Sequence, residues 1–107
     1  MKQYTNEIQT AKLIELGFEK PKGLADAEPS SGKWVREAYS IGELLSFLPP
    51  IIPQGSGYYL NITHDSVSWV IDYQQHGDTQ YKYIVSDVEL IDAIFAMIVE
   101  LKEVGVI

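Results

Sequence analysis

Residues 57–107 constrain the fold of this chain more than any other stretch, because they have the pattern of three β-strands followed by a helix. In the strand segments, apolar and polar residues alternate, which places the two sets on opposite faces of a sheet. In the last segment, apolar residues recur at every third or fourth position, as in an amphipathic helix. The other segments must attach to this framework of two hairpins and a helix.

The first hairpin has its predicted turn at His64 and Asp65. A two-residue loop at these positions places Ile62 opposite Val67. A slip of one residue would turn the apolar side chains toward solvent, so the alternation determines which face each residue occupies.

The second hairpin has its predicted turn at residues 75–77, where Gly77 supplies the left-handed conformation that a three-residue loop needs. This loop places Ile71 opposite Tyr81. The predicted core-facing set is Leu60, Ile62, Val67, Trp69, Ile71, Tyr81, Tyr83 and Val85. The opposite face is mixed and carries Tyr59, Asn61, Ser68, Val70, Asp72, Gln80, Lys82 and Ile84.

Capping boxes predict where three helices begin, because the two side chains of each box cap each other's backbone N–H groups. The pairs are Asn6 with Gln9, Ser40 with Glu43, and Ser86 with Glu89. Gly17 and Gly105 should end the first and third helices in the left-handed conformation. Pro49 should end the second helix near Phe47 or Leu48, because a residue before proline is pushed out of the helical region.

The predicted fold class is α+β: a three-stranded antiparallel meander packed against a long C-terminal helix, with two short N-terminal helices. A length of 107 residues with 46% hydrophobic content supports one core, so residues 1–107 are predicted to form a single domain. Residues 19–33 are rich in Pro, Gly and Ser and are predicted to form a flexible loop. Residues 33–39 are predicted as a short strand or an extended arm, and residues 51–56 as a connection.

The composition excludes several classes of protein. The chain has no cysteine, so it offers no disulfide, no thiolate metal site and no cysteine nucleophile. No apolar run approaches the roughly 20 residues of a membrane span, and the first ten residues are polar. We therefore expect a cytoplasmic location and no membrane partner.

The net charge of −7 comes entirely from residues 41–107, where two lysines face nine carboxylates, whereas residues 1–40 carry six basic and six acidic groups. Direct nucleic-acid binding is not expected, because that affinity depends on Lys and Arg that neutralise phosphates. The acidic surface is compatible with a basic protein partner or with imitation of nucleic acid. The simpler interpretation is that the charge keeps a small domain in solution.

No catalytic or metal-binding constellation is evident. His64 and His76 lie in loops at opposite ends of the predicted central strand, about 30 Å apart, so one metal ion cannot bind both. Each loop offers at most two obvious ligands, fewer than a catalytic zinc takes from protein. The glycines in residues 55–57 precede a strand instead of a phosphate-binding helix, and no serine has a nucleophile-elbow context. We predict that the protein is not an enzyme and that it has neither a cofactor nor a metal site.

Two surfaces are candidates for binding. On the mixed face of the sheet, Tyr59, Val70 and Ile84 would form an exposed apolar patch if the first helix leaves them uncovered. On the third helix, carboxylates would share one acidic face, formed by Glu89, Asp92, Glu100 and Glu103.

Five short segments follow one another over residues 39–107: YSIGELL at 39–45, LP at 48–49, YYLNI at 58–62, ELIDA at 89–93 and GVI at 105–107. In this order they resemble small uncharacterised proteins encoded by bacteriophages and mobile elements of gut bacteria. The resemblance implies a phage or mobile-element origin and a bacterial host cell, and it implies no activity. Residues 1–38 lie outside it.

These features together predict a non-enzymatic accessory protein of a phage or mobile element that acts by binding a host or phage protein, with a homodimer as an alternative. A second hypothesis is an acidic inhibitor that occupies the nucleic-acid site of a host defence protein, like an anti-CRISPR nucleic-acid mimic. A third is a small hydrolase, which would need a deep pocket that holds His64 or His76 beside a buried carboxylate.

Overall fold

The computed structural model describes residues 2–26, 35–53, 57–75 and 81–107. The helices of this part of the chain are α1 (Glu7–Glu15), α2 (Ile41–Phe47) and α3 (Leu90–Glu103). Its strands are β1 (Gly23–Asp26), β2 (Val35–Ala38), β3 (Ile51–Ile52), β4 (Tyr58–His64), β5 (Trp69–Gln75) and β6 (Tyr81–Asp87).

The fold is α+β, and its main sheet is an antiparallel meander in the order β3-β4-β5-β6. The three predicted strands correspond to β4, β5 and β6. The fourth strand, β3, lies in the segment predicted as a connection and pairs with the start of β4. Strands β1 and β2 form a separate two-stranded antiparallel sheet.

The first hairpin has a longer loop than predicted, because Ile62 pairs with Ile71 instead of Val67. The Asp65 carboxylate organises this loop: its Oδ1 accepts hydrogen bonds from the backbone N–H groups of Val67 at 3.1 Å and Ser68 at 2.7 Å. Such side-chain bonds offer an alternative to a tight turn. The prediction that Val67 faces the core is therefore wrong, since the loop leaves it 74% exposed.

The second hairpin also pairs in a shifted register. Ile71 pairs with Val85 instead of Tyr81, and Tyr81 pairs with Gln74. As in the first hairpin, the shift at Ile71 is an even number of residues, so Val85 keeps its predicted face. Residues 76–80, which include most of the predicted turn and Gln80, lie outside the described residues.

A β-bulge at Tyr83 interrupts the pairing of β5 with β6. Asp72 pairs with Ile84 and Tyr73 pairs with Lys82, so Tyr83 is the extra residue of the ladder. Its φ of 59° lies in the left-handed region, where a residue with a side chain is uncommon. The bulge bends β6 and brings Lys82 opposite a core residue, although the alternation predicted it on the other face.

The first two helices begin where the capping boxes predicted. The Asn6 side chain accepts from the backbone N–H of Gln9 at 2.8 Å, and the Gln9 side chain accepts from that of Asn6 at 3.0 Å. Ser40 and Glu43 form the same reciprocal pair at the start of α2. After α1, Gly17 has the expected left-handed conformation, with a φ of 99°.

The predicted third capping box is wrong. Strand β6 continues to Asp87, and Ser86 pairs with Val70 in the sheet, so Ser86 does not start the helix. Glu89 is the N-cap residue of α3 and makes no side-chain capping bond. The other end of α3 agrees with the prediction, because Gly105 follows it with a φ of 81°.

The segment predicted as a flexible loop contains β1, which pairs with β2 from Gly23 opposite Ala38 to Asp26 opposite Val35. The short strand predicted within residues 33–39 corresponds to β2. The rest of the predicted loop, residues 27–33, lies outside the described residues.

The core lies between the main sheet and the helices. Its largest fully buried aromatic residues are Tyr39 and Tyr73. The Tyr73 hydroxyl donates a hydrogen bond to the Pro49 carbonyl oxygen at 2.8 Å, and burial raises the pKa of Tyr73 to about 12. The apolar stripe of α3 supplies Ile91, Ile94, Met97, Ile98 and Leu101. Partly buried side chains from the predicted core face pack against this cluster: Leu60, Ile62, Trp69, Tyr83 and Val85.

Candidate interaction surface

The main sheet exposes large apolar side chains on the face opposite α3, which we call the outer face. Tyr59 and Ile84 on this face are 45% and 58% exposed, and Val70 is half-buried. The alternation of side chains therefore places the three residues of the predicted patch on one face, and α1 does not cover Tyr59 or Ile84.

Ile51 extends the outer face and was not identified from the sequence. It pairs with Tyr59 and is 47% exposed, whereas its neighbour Ile52 is buried in the core. A strand of only two residues, between Pro50 and Pro53, is too short to show an alternation of apolar and polar residues. Its pairing with β4 places a further apolar side chain at the edge of the patch.

Asp72 lies at the centre of the outer face. Asn61 pairs with it on one side and Ile84 on the other. Its neighbours Ile71 and Tyr73 are buried in the core, so Asp72 points to the outer face. It is nevertheless only 2% exposed.

The carboxylate of Asp72 is incompletely hydrogen-bonded. Burial raises the pKa of Asp72 above its usual value, and the side-chain hydrogen bonds from Gln74 and Asn61 offset this only in part. Among the described residues, nothing donates a hydrogen bond to Oδ1, which is buried. Buried polar atoms without partners are uncommon in folded proteins, so this one needs an explanation.

Lys82 lies on β6, the strand next to Asp72, but its side chain contacts other groups. Its Nζ lies 5.5 Å from the ring centroid of Tyr58 and 5.9 Å from that of Tyr83. Both rings pack against the core, so Lys82 points toward the helix side of the sheet. The bulge at Tyr83 accounts for this direction, because it places Lys82 opposite Tyr73.

The predicted acidic face of α3 is divided into two parts. At the start of the helix, Glu89 Oε2 accepts from the backbone N–H of Lys2 at 3.1 Å, and Asp92 Oδ1 accepts from Lys2 Nζ at 2.7 Å. Farther along, Glu100 and Glu103 are exposed. Two of the four carboxylates thus hold the N-terminal segment against the helix.

Asp92 also accepts a hydrogen bond from Gln9 Nε2 at 2.7 Å, which ties α1 to α3. Burial would raise the pKa of Asp92, but the hydrogen bonds from Lys2 and Gln9 and the charge of Lys2 together lower it below its usual value of 3.8. The folded protein therefore binds the Asp92 proton less tightly than the unfolded chain does. The resulting stabilisation is present above the unfolded pKa and disappears as the pH falls through the folded one.

We predict that Asp92→Asn lowers the free energy of unfolding by about 0.5 to 1 kcal/mol at pH 7, since the pair with Lys2 is partly exposed. The difference from wild type should be smaller at pH 2, because protonation of Asp92 in the wild type removes the charge that attracts Lys2. Urea unfolding at the two pH values measures this, with Glu103→Gln on the exposed part of α3 as the control. An equal loss at both pH values would contradict the role of the charge.

A shallow cleft of about 140 Å³ lies beside α2 and is lined by Glu19, Lys20, Lys22, Glu43, Ser46 and Phe47. Its partly buried carboxylate is already hydrogen-bonded, because Glu43 accepts from the backbone N–H groups of Lys22 at 3.0 Å and Ser40 at 3.2 Å. Burial would raise the pKa of Glu43, but these bonds lower it. Glu43 therefore caps α2 and joins it to the chain before β1, and it is not placed to accept a proton from a substrate.

Of the two histidines, the described residues include His64. His64 is exposed, and its ring centroid lies 4.8 Å from that of Trp69. His76 lies outside the described residues, as do Gly77 and Asp78. The part of the chain that the structure describes contains no group of three or more His, Asp or Glu residues placed to hold a metal ion. The hydrolase hypothesis stays a prediction.

Comparisons with protein-family models, with curated proteins and with solved structures return no match for this chain. Across the described residues, no helix has the length and apolar character needed to cross a membrane. The case for function therefore depends on the geometry of the outer face.

Proposed function

We propose that this protein is a non-enzymatic accessory protein that binds a basic protein partner through the outer face of its sheet. The observation that carries the proposal is the group of large apolar side chains on one sheet face: Ile51, Tyr59, Val70 and Ile84. Large apolar side chains grouped on one exposed face favour an interaction site, because a partner that covers them removes them from water.

The charge distribution favours a basic partner. The outer face and α3 belong to residues 41–107, which carry the whole net charge of −7. Among the described strand residues of the outer face, Asp72 carries the charge, so two copies that met through this face would bring two carboxylates together, whereas a basic group would be attracted. A partner that combines apolar side chains with positive charge therefore complements this face better than a second copy does.

The phage or mobile-element origin is part of the proposal and is supported by the order of segments in residues 39–107. It places the partner in a bacterial cell, as a protein of the host or of the phage. Lysates of gut bacteria are therefore the material in which to look for it.

Replacement of both Tyr59 and Ile84 by serine, the outer-face variant, tests the proposal. We expect wild type to capture one stoichiometric protein from lysate, and we expect the purified partner to bind the outer-face variant at least about tenfold more weakly. Isothermal titration calorimetry measures the second effect. Val104→Ser is the matched control, because Val104 is 51% exposed at the end of α3, away from the outer face.

A partner that binds the outer-face variant as tightly as wild type would refute the proposal. So would sedimentation experiments that show a stable dimer of wild type and a monomer of the variant, because the face would then be covered by a second copy. Thermal unfolding of both variants checks that exposed serine substitutions leave the fold intact.

A further inference from the structure

The unsatisfied oxygen of Asp72 is a feature that protein stability does not explain. A buried polar atom without a partner destabilises the folded state, because its lost hydration is not replaced. The contacts with Gln74 and Asn61 do not require an acid, since an asparagine at this position offers a carbonyl oxygen to the same donors. A buried carboxylate with an unpaired oxygen at the centre of a face that also exposes Tyr59 and Ile84 therefore suggests a role in binding.

The lysines of the chain for which contacts are seen do not reach this carboxylate. Lys82 lies against the rings of Tyr58 and Tyr83 on the other side of the sheet. Lys2 pairs with Asp92, and Lys102 Nζ lies 5.5 Å from the ring centroid of Phe18.

We propose that Oδ1 of Asp72 accepts a hydrogen bond from an arginine of the partner protein when that partner covers the outer face. This inference rests on the proposed function and names the group that the face recognises. A guanidinium is always charged and is more weakly hydrated than an ammonium, so it enters a partly apolar site at a lower desolvation cost. Its methylene stem would pack against Tyr59 and Ile84, which flank the position.

A guanidinium must displace part of the cover over Asp72, since this side chain is only 2% exposed. Ile84, which pairs with Asp72, is 58% exposed, and exposed side chains change rotamer within nanoseconds. Asp72 itself is on the central part of β5, which is held by β4 and β6 on its two sides. The carboxylate is therefore fixed in position beside a side chain, Ile84, that can change rotamer.

A ribosome-displayed library of random dodecapeptides is the probe for this site. Peptides selected on wild type are tested again on the outer-face variant and on Val104→Ser. We expect binders that lose affinity for the outer-face variant alone and that share an arginine between apolar residues. Replacing this arginine by citrulline, which keeps the shape and removes the charge, should weaken binding by about 10- to 100-fold.

The same peptides then test the contact with Asp72. Asp72→Asn should bind the arginine peptide more weakly by a similar factor, and the citrulline change should have little further effect on this variant, because the two changes remove one interaction. Independent, multiplicative losses would overturn the contact. The citrulline exchange leaves the protein unaltered, so it tests the need for a charged arginine even if Asp72→Asn folds poorly.

The outcomes separate this inference from the proposed function. Peptides that bind wild type but not the outer-face variant, and that lack arginine, would overturn the arginine contact. So would peptides in which a lysine couples equally well to Asp72. Either result would leave the outer face as a binding surface. If no selected peptide distinguishes the outer-face variant from wild type, both proposals fail.

Discussion

Replacing Leu101 by alanine should lower the free energy of unfolding by about 2 to 5 kcal/mol. Leu101 is fully buried near the end of α3, in the cluster that joins the helix to the sheet. Its truncation removes apolar contacts and leaves a cavity that the surrounding side chains fill only in part. Urea unfolding followed by circular dichroism measures the loss.

Glu100→Ala is the matched control for this prediction. Glu100 precedes Leu101 in the same helix but is exposed, so its replacement should change stability by less than about 0.5 kcal/mol. Unfolding of the two variants at the same urea concentration would show that Leu101 does not pack between α3 and the sheet.

Gly23→Ala should lower the free energy of unfolding by about 1 to 3 kcal/mol, because the added methyl group has no room. A Cβ atom at this position would lie 2.9 Å from the carbonyl oxygen of Ala38, 3.1 Å from Cε1 of Tyr4 and 3.3 Å from Oε1 of Glu43. The first of these atoms belongs to the backbone of β2 and cannot move without disturbing the pairing of β1 with β2. Thermal and urea unfolding both report the effect.

The corresponding change at Gly42 should not lower the free energy of unfolding. Gly42 lies in α2, and the nearest atom to a new Cβ there is Ser40 Oγ at 3.9 Å. Alanine favours the helix over glycine by up to about 1 kcal/mol, so Gly42→Ala should be neutral or stabilising. A Gly23→Ala variant as stable as wild type would contradict the 2.9 Å approach of a Cβ at position 23 to the Ala38 carbonyl oxygen.

The sequence was sufficient to assign most strand residues to a face, because side-chain alternation is independent of loop length. Both hairpins differ from the predicted register at Ile71, yet each shift is an even number of residues and Ile71 keeps its face. The loop lengths could not be predicted, since they depend on competing local bonds such as those of Asp65. The sequence gives no indication of the bulge at Tyr83, because the left-handed position is occupied by a tyrosine instead of a glycine.

Capping motifs were reliable where nothing competed for the same residues. The boxes at Asn6 and Ser40 depend on bonds within four residues, and both form. Ser86 satisfies the same motif, but its backbone pairs with Val70 in the sheet. Long-range pairing therefore overrides the local preference, and one sequence cannot show which will prevail.

The candidate site was predictable in its apolar part and not in its polar part. Alternation places Tyr59 and Ile84 on the outer face, and their exposure also depends on α1 leaving them uncovered. The neighbours of Asp72 on β4 and β6 depend on the register, which alternation does not predict. The contact of Lys2 with Asp92 joins residues 90 positions apart, so the sequence placed Asp92 on an open acidic face.

The bulge at Tyr83 also affects how readily two copies of the protein can pair through β6. In the part of the chain that the structure describes, β6 is an edge strand of the main sheet, and an edge strand offers unpaired backbone groups to a neighbouring chain. The bulge at Tyr83 interrupts the regular ladder near the middle of this strand. The kink that re-aims Lys82 should therefore make β6 a poorer template for edge-to-edge pairing with a second copy.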